Sequence, residues 1–318
     1  MIKGHLLCPD NAIVSLMLFV AFAARGYEIG ISNFIYLLPG VGMIYEHYQL
    51  PTGLNKYIEA VFYIKGFAPD HSIERVVPTG HVFFIFELDD IPRNTYDNET
   101  LKPIGFFRQA WISGMHKNFI SISAHQDSEM LVVQFKSAGA YPFFHFPLQS
   151  LSEKVVSAED ALGAEIIHLR NNILETENHV AKMNLVVDWL VSRFDEQIAP
   201  SGDLLSFIDR LQQEPVSKFN EIIKSYPYTQ KQLIQHFKKY VGITPKIYQR
   251  ILRFNEILKI IQNKEKVSWA DVAYSCDYAD QSHFIKEFVL FSGFNPQEFI
   301  KGESNRGRSN FFPVDGKG

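Results

Sequence analysis

The chain has 318 residues, of which 46% are hydrophobic and 21% charged, and its formal net charge is −4. This length and composition are those of a globular protein with room for two domains. The negative charge argues against a protein that binds nucleic acid over its whole surface. The two cysteines, Cys8 and Cys276, form neither a disulfide framework nor a metal motif, and they fit a reducing cytoplasm.

The first 42 residues differ in character from the rest of the chain. An apolar run extends from Ala12 to Ala24, and Ala21-Phe22-Ala23 resembles the cleavage site of a signal peptide. The run is shorter than the roughly 20 residues that a membrane-spanning helix needs, so we expect no membrane partner. Three interpretations stay open: a start assigned too early, with Met43 as the initiator, a small N-terminal element, or an export signal.

Residues 43–150 are predicted to form a β-rich domain. Runs rich in Val, Ile, Phe and Tyr alternate with clusters of Pro, Gly, Asn and Asp, which is the pattern of short strands separated by turns. Pro78-Thr79-Gly80 indicates a turn, and Arg93–Asn98 a polar loop. Five or more strands favour a sandwich or barrel. The predicted strands are Tyr57–Ile64, His81–Leu88, Ile104–Ile112, Phe119–Ala124 and Met130–Phe135.

Two sets of side chains in this domain are candidates for a site. Four histidines could bind a metal, but no close spacing brings two of them together, so each is interpreted as an ordinary histidine. Six aromatic residues could line a ligand pocket, although such residues more often pack in a core. The histidines are His81, His116, His125 and His145, and the aromatic residues are Phe83, Phe84, Phe86, Phe106, Phe107 and Trp111.

Residues 151–200 are predicted to be a helical connector. Apolar residues recur there every three or four positions, which predicts helices over Ala158–Leu174 and Asn178–Phe194. These helices could form a dimer face or rigid connector, or could pack on the β-rich domain. Gln197–Gly202 is predicted to be a linker, and Asp203 is expected to cap a helix over Leu204–Gln212.

Residues 203–302 contain one helical pattern twice, and a repeat of this kind decides the architecture. The first copy has key residues at spacings of 4, 5, 3 and 3: Leu233, Phe237, Gly242, Pro245 and Tyr248. The second copy repeats those spacings 51 residues later, at Phe284, Phe288, Gly293, Pro296 and Phe299. Residues four apart share one helix face, and glycine favours the left-handed residue that ends a helix. Residues that can cap a helix N-terminus precede the predicted helices: Thr229, Asp280, Thr244, Asn295, Ser217 and Ser268. The pattern predicts two helix-turn-helix units.

The second helix of each unit has a polar face opposite its apolar one. Lys231, Gln235 and Lys238 lie on this face in the first copy, and Ser282, Lys286 and Val289, flanked by Gln281 and His283, in the second. One such face would most simply be solvated surface. Two of them in a spaced repeat favour contacts to bases and phosphates in a DNA major groove.

The stretch WADVAYSCDYADQSHFIKEFVLFSGFNPQEF resembles the C-terminal signature of AraC/XylS-type bacterial transcription regulators. The resemblance covers about Asp203 to Gly302. It implies seven helices, two helix-turn-helix units joined by a long helix, and binding to double-stranded DNA. It also implies that Lys231, Ile234 and Gln235 read bases from the first unit, and Gln281, Ser282 and Lys286 from the second.

The chain departs from the family pattern at three places. Asp277 stands where the second turn usually has glycine, and aspartate tolerates the left-handed conformation. Pro227 occupies the matching position of the first turn and cannot adopt it, so that turn must be built differently. Val289 and Leu290 replace the lysines of the first repeat, which predicts poorer phosphate contacts from the second helix.

The N-terminal domain carries a second resemblance. The segments YQLPTGLNKYIEAVFYIKG and VVPTGHVFFIFELDD resemble the N-terminal domain of one AraC-type subgroup, which implies a cupin-like fold and leaves the ligand undefined. The charge is divided between the two parts. Residues 203–318 contain 17 basic and 13 acidic side chains, whereas residues 1–202 contain 14 and 22. A basic module on an acidic domain suits a DNA-binding protein with a regulatory part.

Together these observations predict an α+β protein: a β-rich, barrel or cupin-like N-terminal domain, a helical connector, an all-α domain with two helix-turn-helix units over 203–302, and a disordered tail over 303–318. We expect a cytoplasmic regulator that binds specific DNA sequences, without catalytic, metal or cofactor chemistry. Expected further partners are a small-molecule effector, RNA polymerase and a second copy of the chain. Alternatives are a cupin-type enzyme or a pure dimerisation domain fused to a DNA-binding module. Met43 is the preferred start, because export would separate such a protein from DNA.

Overall fold

The computed structural model describes residues 43–262, 264, 266–301 and 310–315. The N-terminal extension over 1–42 lies outside the described residues. The strands are β1 (Ile44–His47), β2 (Ile58–Phe67), β3 (Ile73–Val76), β4 (Val82–Glu87), β5 (Arg93–Tyr96), β6 (Pro103–Phe107), β7 (Ala110–Ser113), β8 (Ile120–Ser123), β9 (Ser128–Phe135), β10 (Val155–Ser157) and β11 (Phe311–Pro313). The α-helices are α1 (Tyr141–Phe144), α2 (Ala158–Leu162), α3 (Glu165–Glu175), α4 (His179–Arg193), α5 (Gly202–Gln213), α6 (Phe219–Ile222), α7 (Gln230–Tyr240), α8 (Pro245–Ile261), α9 (Trp269–Ser275), α10 (Gln281–Ser292) and α11 (Pro296–Lys301).

The N-terminal domain is built from two antiparallel sheets, as the strand pattern predicts. One has six strands in the order β1-β2-β9-β4-β7-β10, and the other has five in the order β11-β3-β8-β5-β6. Side chains from both sheets line a common cavity of about 680 Å³. The domain is therefore a β-rich sandwich around an internal space.

Strand β4 shows how the aromatic residues divide between core and cavity. Phe84 and Phe86 are fully buried on the outer face of the six-stranded sheet, where the ring of Phe84 lies 5.6 Å from that of Trp189 on α4. Phe83 and Ile85 alternate with them and line the cavity. Phe107 and Trp111 also line the cavity, whereas Phe106 is exposed. Both the core and the pocket interpretation are therefore right, each for one face of the sheet.

Two details of the strand prediction are wrong. Arg93–Asn98 is not a polar loop, because Arg93–Tyr96 forms β5 and pairs with β6 and β8. Buried Arg93 forms ion pairs with Glu87 and Asp89, which compensate for its burial. Ile104–Ile112 is not one strand, because the left-handed residue Gln109 (φ 64) separates β6 from β7.

The predicted connector helices pack on the six-stranded sheet. Arg170 Nε donates to the carbonyl of Glu87 at 2.7 Å, and Lys182 Nζ lies 3.6 Å from a carboxylate oxygen of Glu129. The first predicted helix is divided into α2 and α3, because Gly163 adopts φ 98. The structure therefore shows the connector helices packed on the β-rich domain, one of the arrangements that the sequence left open.

The first helix of the all-α domain is capped by a different residue from the one predicted. Helix α5 begins at Gly202, and the hydroxyl of Ser201 accepts from the backbone N–H of Leu204 at 3.3 Å. Asp203, the expected cap, lies instead in the first turn, where its charge complements the helix dipole.

The end of the chain returns to the N-terminal domain. Strand β11 pairs with the edge strand β3, and Asp315 Oδ1 accepts from the backbone N–H groups of Ser72 and Ile73 at 3.0 and 2.7 Å. Phe312 is fully buried against Phe294 and Phe299. The prediction of a disordered tail is therefore wrong for residues 310–315, because an open sheet edge supplies partners for its backbone.

Candidate nucleic-acid interface

The two predicted helix-turn-helix units are α6–α7 and α9–α10, and the 17-residue helix α8 joins them. The residues described between 202 and 301 form seven α-helices, as the family resemblance implies. The hydroxyl of Thr229 accepts from the N–H of Gln232 in a capping box, and Asp280 Oδ1 accepts from the N–H of His283 at 2.8 Å. Thr244, Ser268 and Asn295 also accept from backbone N–H groups as predicted. Ser217 does not cap, since α6 follows Lys218 without a side-chain bond.

The apolar face of each second helix packs in the core, which fixes the direction of its polar face. Leu233, Phe237, Phe284 and Phe288 are fully buried. Phe237 lies edge-on to Phe207 of α5, and Phe284 stacks on Trp269 of α9. The glycines that end the helices, Gly242 and Gly293, have φ 96 and 73, the left-handed conformation predicted for them.

The predicted DNA-binding residues lie at or near the surface. Lys231 and Gln235 of α7 are exposed, and Ile234 and Lys238 are half-buried. Gln281, Ser282, His283 and Lys286 of α10 are all exposed. In both helices the N-terminal half, which would enter a major groove, is open to solvent.

The two turns differ, as expected, although the offset of 51 residues places Tyr226 rather than Pro227 opposite Asp277. In the second unit Asp277 adopts φ 55, the conformation that glycine would otherwise supply. In the first unit a 3₁₀ turn (Ile223–Ser225) leads into the extended residue Tyr226. Each turn contributes a tyrosine to its recognition helix: Tyr226 contacts His236 and Tyr278 contacts Glu287. Seven residues, including the 3₁₀ turn, separate α6 from α7, whereas five residues separate α9 from α10.

The buried carboxylate of Glu287 holds α10 in place. It accepts from Arg250 Nε at 2.8 Å, Arg253 Nη2 at 3.0 Å and the hydroxyl of Tyr278 at 2.7 Å. Burial opposes its charge, but the hydrogen bonds from Tyr278 and Arg250 and the charge of Arg253 lower the pKa of Glu287. Both arginines belong to α8, so this cluster fixes the second recognition helix to the long helix. Sequence reasoning missed it, although an acidic residue between Phe284 and Phe288 was the available signal.

The N-terminal domain contacts the end of both recognition helices. At the C-terminal end of α7, a Cβ on Gly242 would lie 2.9 Å from the carbonyl oxygen of Leu148, and the Lys239 ammonium lies 4.7 Å from the centre of the Tyr141 ring. After α10, Arg75 Nη1 donates to the carbonyl of Gly293 at 2.7 Å. These contacts lie at the C-terminal ends and leave the predicted DNA-binding residues uncovered.

Helix α8 also joins the two domains at the cavity. The hydroxyl of Tyr248, fully buried, lies 2.5 Å from Ser137 Oγ of the N-terminal domain and accepts from Gln212 Nε2 of α5 at 2.9 Å. Burial raises the pKa of Tyr248 to about 12. Asn255 Nδ2 donates to the carbonyl of Pro78 at 2.9 Å. The junction is therefore polar and hydrogen-bonded, and α5 and α8 form one wall of the cavity.

The four candidate histidines occupy separate places. His81 contacts the carbonyl of Phe135, His116 the hydroxyl of Ser113, His125 the hydroxyl of Ser123, and His145 the carbonyls of Pro142 and Arg193. Within the described ranges, no three His, Cys, Asp or Glu side chains are placed to hold a metal ion. No helix in that part of the chain is both long and apolar enough to cross a membrane.

Two family models match the chain. Residues 224–302 match a family described as a helix-turn-helix domain, and residues 46–157 match one described as a domain of unknown function (DUF6597). The transcriptional activator RhaS of Escherichia fergusonii is 25% identical over 134 residues, 42% of this chain and 41% of that protein. RhaS of Citrobacter koseri is 21% identical over 186 residues, 58% of this chain and 56% of that protein. The chain thus spans about half the length of these curated relatives.

Solved structures of regulators are also similar to the chain. Wild-type ToxT of Vibrio cholerae, solved with a bound unsaturated fatty acid, has a TM-score of 0.40 and 11% identity over 80% of this chain and 96% of that one. The AraC-like transcriptional activator CuxR has a TM-score of 0.22 and 13% identity over 67% and 86%. The family resemblance inferred from the C-terminal signature is confirmed by the family models and the RhaS relatives. The chain therefore carries an AraC-type helix-turn-helix domain at its C-terminus, preceded by a DUF6597 domain.

Proposed function

We propose that the protein is a cytoplasmic transcription regulator that binds specific sequences of double-stranded DNA and has no catalytic step. The observation that carries this proposal is the pair of exposed polar helix faces in α7 and α10, each oriented by a buried apolar face. In such an arrangement both recognition helices enter successive major grooves on one side of the duplex, about 34 Å apart.

The predicted DNA-binding residues divide between base reading and backbone contact. Lys231, Ile234 and Gln235 read bases from α7, and Lys238, one turn further on, contacts phosphate. Gln281, Ser282, His283 and Lys286 form the contact surface of α10. The C-terminal half of α10 exposes Val289 and Leu290, so it contributes less to phosphate binding than the lysine-bearing end of α7.

In this proposal the N-terminal domain regulates DNA binding. Its contacts at Gly242 and Gly293 restrict how the two units move relative to each other. A cavity of about 680 Å³ is within the range of roughly 300–1,000 Å³ found for ligand sites, which favours effector binding over pure dimerisation. Since the RhaS relatives are named activators, we include RNA polymerase and a second copy of this chain among the partners to be tested.

Genome-wide occupancy of the tagged protein, followed by footprinting on a recovered site, tests the proposal. We expect two protected patches one helical turn apart for each bound domain. The double variant Gln281→Ala/Lys286→Ala should lose one patch and keep the other. Absence of sequence-specific protection overturns the proposal, and a single short patch for the unsubstituted protein means that one helix alone reads DNA.

A further inference from the structure

The cavity of the N-terminal domain has an apolar middle and two polar ends. Its middle is lined by Phe62, Phe83, Ile85, Val132 and Ile122, which come from both sheets. A molecule that fills this space must therefore have an apolar body. The polar groups at the two ends determine what else it must carry.

At one end the charged groups are ion-paired with one another. Arg93 Nη2 lies 2.8 Å from Glu87 and 2.5 Å from Asp89, and Trp111 Nε1 donates to Glu87 at 2.8 Å. Each charged group there already has a partner of opposite charge. This end closes the cavity without requiring a polar ligand group.

The opposite end, next to α5 and α8, has three polar side chains that lack such partners. Gln134 is only 3% exposed, and its amide makes no hydrogen bond with any residue in the described ranges. Glu59 has neither a hydrogen bond nor an ion pair within those ranges. His81 uses Nδ1 to donate to the carbonyl of Phe135 at 3.0 Å, so Nε2 is left as an acceptor.

The sheet register brings these three side chains together. Gln134 on β9 pairs with Ala60 on β2 and with Phe83 on β4, and Glu59 lies in the β2 irregularity between Ile58 and Ala60. His81 directly precedes β4, beside the same part of β9. Adjacent strands are about 4.8 Å apart, so one small group can contact side chains from all three. In addition, burial lowers the pKa of His81 against the opposing charge of Glu59, which keeps the imidazole neutral and Nε2 free to accept.

The wall opposite this group belongs to the all-α domain and carries a further carboxylate. Asp209 of α5 lines the cavity, and the charges of Asp209 and Glu59 both act on the buried hydroxyl of Tyr248. The neighbouring cations are Lys136, an exposed cavity residue whose charge acts on His81, and Lys259, which is paired with Glu256 at 2.8 Å. Two carboxylates from different domains therefore face one space, where a ligand cation would reduce their repulsion.

We propose that this end of the cavity binds the primary ammonium group of an apolar amine, held by Glu59, His81 and Gln134 and faced by Asp209 across the domain junction. A primary ammonium has three N–H donors, and the site offers the Glu59 carboxylate, His81 Nε2 and the Gln134 carbonyl as three acceptors. The ring of Phe83, whose centre lies 6.4 Å from that of His81, favours a nearby cation as well. The proposal deepens the effector binding proposed above and rests on it.

Three probes with the same chain and different head groups test the proposal on the full-length protein: octylamine, octan-1-ol and octanoate. Calorimetric titration should give at least a tenfold lower Kd for octylamine than for the other two. Equal affinities, tighter binding of octanoate, or no binding of octylamine would overturn the proposal.

Variants separate the head-group site from general hydrophobic binding. Glu59→Gln should raise the Kd for octylamine at least tenfold and leave that for octanol unchanged, and Asp209→Asn should raise it several-fold. Lys136→Gln is the matched control, since it removes a charge of opposite sign and should leave amine binding unchanged or strengthen it. Melting curves establish that each variant is folded. If Glu59→Gln leaves octylamine binding intact, the assignment is wrong.

DNA footprinting without any probe keeps this result distinct from the proposed function. A protein that binds octylamine but protects no DNA refutes the regulator and leaves the amine site standing. A protein that protects DNA but ignores octylamine refutes the amine site and leaves DNA recognition standing.

Discussion

The two helix-turn-helix units repeat the same residue spacing, yet different forces hold their recognition helices. In the second unit, the buried carboxylate of Glu287 fixes α10 to two arginines of α8. The residue at the same position of the first unit is His236, which contacts the hydroxyl of Tyr226. Helix α7 therefore depends more on packing of Phe237 against Phe207 and Tyr248. The shared residue spacing thus determines the helix-turn-helix shape of each unit, but it does not determine which contacts orient the recognition helix.

The surfaces of the two helices differ in the same sense. The C-terminal half of α7 carries Lys238 and Lys239, of which Lys239 lies over the rings of Tyr141 and Tyr240. The matching half of α10 exposes Val289 and Leu290. We infer that α10 is placed firmly and reads bases, whereas α7 contributes more to binding the DNA backbone.

The largest expected effect tests what the two units share. Phe237 and Phe288 are both fully buried, so replacing either by alanine should lower the free energy of unfolding by about 3–5 kcal/mol. Urea unfolding followed by far-ultraviolet circular dichroism measures this loss. A loss below 1 kcal/mol for either variant would contradict the observed burial of the two rings. Unequal losses would show which unit can relax around the void that the substitution leaves.

The next effect separates the units. Glu287→Gln leaves Arg250 and Arg253 without a carboxylate, and we expect a loss of about 2 kcal/mol, because hydrogen bonds between charged groups contribute about 1.5–3 kcal/mol. His236→Gln should cost about 1 kcal/mol or less, the contribution of a typical hydrogen bond. Equal losses for the two variants, measured by the same urea titration, would remove the distinction between charge-held and packing-held helices.

Base reading and backbone contact are distinguished by binding titrations on matched and mismatched DNA sites at several salt concentrations. Lys286→Ala should cost about 1–3 kcal/mol on the preferred site and relax discrimination at one position, because lysine donates to guanine O6 and N7. Lys238→Ala should weaken binding to all sequences alike and lower the salt slope by about one unit. An equal loss of affinity on every sequence for Lys286→Ala would reduce α10 to an anchor.

The smallest effect is a dependence on pH. The pKa of Glu287 is below its ordinary value of 4.5, so the folded protein binds fewer protons at this site than the unfolded chain. Its contribution is therefore complete above pH 4.5 and is lost as the pH falls through the folded-state pKa. The difference in melting temperature between the unsubstituted protein and Glu287→Gln should be constant at pH 5–7 and shrink below 4.5. A difference that persists undiminished at pH 3 would assign the effect to packing.

The sequence by itself determined the repeated units. Their caps, turn glycines and apolar faces depend on residues within about four positions of each other, so the spacing of Leu233, Phe237 and Gly242 and of their counterparts indicates helix, face and helix end together. The long strands β2, β4 and β9 were also predictable, because their apolar runs are continuous. Exposure of Lys231, Gln235 and Lys286 followed from the same periodicity.

Only the tertiary structure decided the rest, because the partners concerned are far apart in the chain. Arg93–Tyr96 reads as a loop until β6 and β8 pair with it, and the polar tail becomes β11 because the edge of β3 is open. Glu287 acquires its role from arginines 34 and 37 residues earlier. The cavity end at Glu59 and Asp209 lies between elements 150 residues apart, and no local pattern can report a space that exists only after the two domains have packed together.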